Sequence, residues 1–148
     1  MINPRHNILL ADDDTDDCCF FKEALEELPL SVTLSTVNDG IQLMSFLASH
    51  TDNLPDVLFL DLNMPLKTGF ECLSEIKCND KLKYLPIIIF STSLDLEIVN
   101  LLYQKGAQYY IRKPGEYSKL KKVISDALMF TAQNNYMQPP RDQFLLLV

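Results

Sequence analysis

Apolar residues gather in five short runs along the chain: NILLA (7–11), SVTLSTV (31–37), DVLFLDL (56–62), PIIIFS (86–91) and QYYIR (108–112). After each run the apolar spacing changes to the three-to-four-residue period of a helix. The stripes are Phe21, Ala24, Leu25 and Leu28; Leu43, Phe46 and Leu47; Phe70, Leu73 and Ile76; Leu94, Ile98, Leu101 and Leu102; and Leu120, Val123, Ile124 and Leu128. A strand followed by an amphipathic helix is therefore predicted five times over. VLFL and IIIF are apolar at consecutive positions, as expected of strands covered on both faces. The predicted class is α/β, a doubly wound parallel five-stranded sheet with helices on each side. The helical stripes are expected to be core contacts and nothing more.

The pattern fades near Thr131, where AQNNYMQPPRDQ turns polar and proline-broken before the chain reads FLLLV (144–148). The expected organisation is one domain over 1–130 and a C-terminal tail over 131–148, with no separate output domain. Pro139 and Pro140 stop a helix from continuing. Five exposed apolar side chains would be an aggregation liability. FLLLV is therefore expected to run extended and dock in a hydrophobic groove, on its own domain or in a homodimer.

With 148 residues, 47% of them hydrophobic and 22% charged, the chain can build a core without disulfides or a structural metal. The net charge of −7 argues against direct nucleic-acid binding, which draws on clustered Lys and Arg. No apolar run approaches a membrane span, and MINPRHNILL is too short and polar-flanked for a signal peptide, so a cytoplasmic protein with no membrane partner is expected. Cys18, Cys19, Cys72 and Cys78 form no CxxC pair and read as reduced thiols.

Charge changes the picture at ILLADDDTDDCCFF (8–21), where five aspartates follow the first apolar run. In an open parallel sheet, ligands collect beyond the carboxyl ends of the strands, and Asp12 and Asp13 stand at such an end. Two carboxylates about 4 Å apart repel by ~4 kcal/mol at an effective dielectric of 20, so a clustered pair in a cleft calls for a cation. Oxygen ligands suit Mg²⁺ or Ca²⁺. Asp14, Asp16 and Asp17 read as helix-capping and first-turn acids. An EF-hand is excluded because its sixth loop position, which needs glycine, is Asp17, and ILLA reads as a strand. The haloacid-dehalogenase pattern D-x-D-x-[TV] fails at Asp16.

Three further residues end other strands: Asp61 after VLFL, Ser91 at the close of PIIIFS, and Lys113 after YYIR. A carboxylate closing an apolar strand is costly unless it faces a polar cleft. Three carboxylates, a hydroxyl and a lysine on one rim suit a phosphoryl group, with an aspartate able to accept it covalently.

From about Asn7 to Phe130 the sequence resembles the response-regulator receiver family, the phospho-accepting half of two-component signalling. Asp12 and Asp13 match its acidic pair, Asp61 its phosphorylated aspartate, and Asn63 the position whose backbone carbonyl helps hold Mg²⁺ or Mn²⁺. LDLNMPLKTGFE, with Pro65 and Gly69, is the most specific stretch. Ser91 matches the switch hydroxyl, Lys113 and Pro114 the lysine and cis-proline pair, and Tyr110 the aromatic switch. Thr92 stands where a small residue is usual, which bears on the rate of phosphate loss.

The resemblance implies the flavodoxin-like (βα)5 fold with strand order 2-1-3-4-5. It also implies a phosphorelay partner, either a sensor histidine kinase or a histidine phosphotransfer protein, and no enzymatic activity beyond Mg-dependent self-phosphorylation and dephosphorylation. The connection CNDKLKYLP (78–86) and the stretch STSLD are similar to those of small receivers that partner phytochrome-like and hybrid kinases. Two other readings fit the same residues: a pseudo-receiver acting only as an interaction module, and a metal-dependent phosphatase on the same fold.

Overall fold

The structure, a computed structural model, describes residues 6–134 and 137–146. Strands and helices alternate: β1 (His6–Ala11), α1 (Thr15–Glu26), β2 (Val32–Val37), α2 (Gly40–Ser49), β3 (Val57–Leu60), α3 (Gly69–Lys77), β4 (Ile87–Ser91), α4 (Leu96–Gln104), β5 (Tyr109–Arg112) and α5 (Tyr117–Gln133). A short 3-10 turn (Arg141–Gln143) then leads into β6 (Leu145–Leu146).

The five expected strands pair in parallel in the expected order, and a sixth is added, giving β2-β1-β3-β4-β5-β6. β3 and β4 are buried at every position, as their unbroken apolar runs require. Alternate residues of one strand serve opposite layers. Leu9, Leu58, Leu60, Ile87 and Ile89 pack with α2, α3 and α4, whereas Ile8, Leu10, Phe59, Ile88 and Phe90 pack with α1 and α5. In the second layer Phe21 meets Phe59 and Phe90 edge-on at 4.9 and 5.6 Å between centroids.

The structure corrects the sequence reading at several places. In α4 the buried residues are Val99 and Leu102, while Leu94, Ile98 and Leu101 are exposed, and Leu94 lies before the helix begins. LEIVNLLYQ is apolar around most of its circumference, so periodicity alone does not decide which face turns inward. The fifth helix runs on to Gln133 with Thr131 buried, three residues into the stretch read as tail.

The tail then folds back onto the domain. Gln138 Nε2 donates to the carbonyls of Tyr103 and Ala107, each at 2.7 Å, and Tyr103 Oη donates to Pro139 O at 2.9 Å. Phe144 is fully buried, edge-on to Tyr103 at 5.1 Å, and its carbonyl accepts the Tyr110 N–H at 3.0 Å. The expected docking of FLLLV is thus realised on its own domain for 144–146, and Leu147 and Val148 lie outside the described residues.

Candidate functional site

Pairing in the sheet brings the chemical residues together. Asp12 N–H donates to Val37 O at 3.0 Å and Asp61 N–H to Ala11 O at 2.9 Å, so the ladder carries both carboxylates to the same rim. Lys113 N–H donates to Ser91 O at 2.7 Å and sets the lysine beside the end of β4. Gly69 fastens the backbone from below, because a Cβ there would stand 2.1 Å from Asp61 O and 2.8 Å from Leu62 Cα. Thr68 caps α3 reciprocally with Glu71, fixing the loop that begins at Asp61. Within that loop Leu66 has φ +67° and is 80% exposed, a strained conformation for a bulky residue.

Asp12, Asp13 and Asp61 each offer an oxygen, all within 4.8 Å of one another. Asp12 and Asp61 are buried and Asp13 faces solvent. Hard oxygen donors converging from two strand ends, open on one side, fit a hard divalent cation. Asn63 is exposed, and its N–H reaches Asp61 Oδ1 at 3.4 Å.

Lys113 Nζ lies 2.8 Å from Asp12 Oδ2, 2.9 Å from Asp17 Oδ2 and 3.7 Å from Asp61 Oδ2. Burial lifts the Asp61 carboxyl to about 6, opposed by the Lys113 charge and reinforced by Asp12. Burial pulls the Lys113 ammonium down, but hydrogen bonds to Asp12 and Asp17 outweigh it and raise it overall. Beside Lys113 a cavity of about 130 Å³ is lined by Asp17, Phe20, Phe90, Pro114, Tyr117 and Leu120, among others.

Ser91 is buried, but its hydroxyl pairs with Ser93 Oγ at 3.1 Å and accepts from Ser93 N–H at 3.3 Å. Tyr110 is fully buried and donates its hydroxyl to Ser93 O at 2.6 Å. Thr92 is exposed at the start of the β4–α4 turn. Among the described residues no peptide bond is cis, so Lys113–Pro114 is trans, contrary to the cis bond that the resemblance implies.

Sequence reasoning missed two participants, Asp17 and Ser93. Asp17 looked like one more first-turn acid, yet Asp14 alone caps α1, accepting from Asp16 and Asp17 N–H at 2.9 and 3.1 Å. Only the return of β5 beside β4 reveals where the Asp17 carboxylate goes. Ser93 carried no signal in a serine-rich turn.

The chain as a whole has counterparts among known proteins. Residues 8–125 match the response regulator receiver domain. This chain belongs to the response regulator receiver family. Response regulator Rcp1 of Synechocystis sp. is 32% identical over 126 residues, covering 82% of this chain and 86% of that protein. The probable methanogenesis regulatory protein FilR2 of Methanothrix harundinacea is 27% identical, covering 80% and 79%. The crystal structure of the phosphorylated cyanobacterial phytochrome response regulator RcpA superposes with a TM-score of 0.79 at 30% identity, covering 88% of this chain and 96% of that one. The Mn²⁺-bound form of Rcp1 superposes with a TM-score of 0.75 at 30% identity, covering 84% and 93%.

Receivers are the phosphoryl-accepting components of two-component signalling. They bind divalent metal at an acidic pocket, interact with histidine kinases or phosphotransfer proteins, and are not enzymes in the ordinary sense. No described helix of this receiver is long and apolar enough to cross a membrane.

Proposed function

We propose that Asp61 is the phosphoacceptor of this receiver, working in the cytoplasm with a histidine kinase or a histidine phosphotransfer protein as donor. The observation that carries the reading is the buried Asp61 carboxylate at the end of β3, within 4.8 Å of the Asp12 and Asp13 oxygens and 3.7 Å from Lys113 Nζ. Above about pH 6 the carboxylate is ionised and can act as nucleophile. One of its oxygens attacks the donor phosphorus, the bond from phosphorus to the donor imidazole breaks, and the imidazole leaves with the electron pair.

Asp12, Asp13, Asp61 and the Asn63 carbonyl would hold Mg²⁺ or Mn²⁺, which supplies positive charge to the phosphoryl oxygens when bound. Lys113 needs only a small swing to reach a phosphoryl group on Asp61. Ser91 would exchange Ser93 for a phosphoryl oxygen, drawing Thr92 and Tyr110 into the response. The receiver would run through the end of α5 at Gln133, with the fold-back segment closing its β5 edge.

Intact mass before and after incubation with a small phosphodonor and Mg²⁺ tests the reading. One added phosphoryl group is expected, absent in a folded Asp61→Asn variant and absent in excess chelator. No labelling would favour a pseudo-receiver. Steady turnover of a separate phosphate ester without labelling would favour a phosphatase.

A further inference from the structure

We propose that Asp17 is a positioning residue that holds the Lys113 ammonium while Asp61 is unphosphorylated and releases it when the phosphoryl group arrives. The proposal rests on the reading of Asp61 as phosphoacceptor. Asp17 is not required for the helix cap, since Asp14 accepts the first free amides of α1. Nor does it belong to the cluster of Asp12, Asp13 and Asp61 oxygens that fits a cation. Its Oδ2 is instead turned to Lys113 Nζ at 2.9 Å, across from the first turn of α1 to the segment after β5.

The ammonium is therefore parked on the α1 side. Asp12 and Asp17 hold it at 2.8 and 2.9 Å, whereas Asp61 at 3.7 Å is beyond good hydrogen-bond length. A phosphoryl group on Asp61 would present the same ammonium with about two negative charges on several oxygens, against the single charge of the Asp17 carboxylate, and is the stronger attraction. Moving Nζ towards Asp61 lengthens its contact with Asp17. The Asp17 side chain is 34% exposed, so water takes up the freed carboxylate.

An interaction present in one state and weakened in the other shifts the balance between them. The Asp17 contact thus opposes phosphorylation, and its release unfastens the first turn of α1 from the Lys113–Pro114–Gly115 segment. Asp17 and Lys113 also line the cavity beside the site, so the change is expressed at a surface opening.

Beryllofluoride, a phosphoryl mimic, can be titrated at saturating Mg²⁺ into wild type, Asp17→Asn, Asp17→Glu, Lys113→Ala and the Asp17→Asn/Lys113→Ala double variant, followed by amide NMR. Asp17→Asn should bind it about threefold more tightly or better, in the range of partly exposed ion pairs. Asp17→Glu should restore wild-type binding, and the gain should vanish when Lys113 is absent. Lys113→Met replaces Lys113→Ala if the latter does not fold.

Unchanged or weaker binding by folded Asp17→Asn overturns the proposal. So does a gain of equal size without Lys113, which would reflect only a negative charge removed near an anionic probe. If wild type itself does not bind beryllofluoride, the phosphoacceptor reading falls, and this proposal with it.

Discussion

The hydroxyl of Tyr110 donates to the carbonyl oxygen of Ser93 at 2.6 Å, joining β5 to the turn that follows Ser91. Because Ser93 also holds the Ser91 hydroxyl, a displacement at Ser91 is felt at Tyr110 through one intervening residue. Ser91→Ala should slow phosphorylation without abolishing it and erase the response around Tyr110. Beryllofluoride-induced NMR shifts at Tyr110 that match wild type would refute the link.

Lys113 neutralises the fully buried Asp12 carboxylate. Lys113→Ala should cost about 3 kcal/mol in chelator, the usual scale for breaking a buried pair. Added Mg²⁺ should recover more stability in this variant than in wild type, since a cation replaces the missing charge. Denaturant melts with and without Mg²⁺ measure both effects, and equal recovery in the two proteins would contradict the assignment.

Burial raises Asp61 from 3.8 to about 6 in the folded state, so its protonated form is the one that folding favours. That contribution is fully present below about pH 4 and is lost as pH rises through 6, for a total near 3 kcal/mol. Asp61→Asn should therefore be more stable than wild type at pH 7.5 in chelator, with the advantage shrinking towards pH 4. Thermal melts across that range decide it.

Phe144 is fully buried against Tyr103. Phe144→Ala should destabilise by about 3 kcal/mol or more, within the range for buried aromatic truncation. An unchanged denaturation midpoint would mean that the tail is not docked in solution.

Leu66 occupies the left-handed region while 80% exposed, so little packing is lost by shortening it. Leu66→Gly should stabilise by about 1 kcal/mol, as relief of a positive-φ conformation allows. A lower melting temperature would show that the side chain holds the loop.

β1, β3 and β4 were legible because strands buried on both faces carry consecutive apolar residues, as in VLFL and IIIF, and β2 because its apolar positions alternate. The Asp12, Asp13, Asp61 and Lys113 constellation was legible because each stands just past such a run. The sixth strand was not, since two residues of FLLLV carry no period of their own and find their place only on the β5 edge. Asp17 was hidden for a different reason: an acid in the first turn of a helix already has a local explanation, and its partner lies far along the chain.

Among the described residues β6 pairs through Leu145 and Leu146, opposite Tyr110 and Ile111. A strand that brief is a poor template for another, whereas the longer apolar strand it covers would offer an open ladder on which copies could stack edge to edge. The fold-back segment thus acts as a stopper on the growth of the sheet. Removing it should make this receiver associate increasingly as its concentration rises, under conditions where the monomer is still folded.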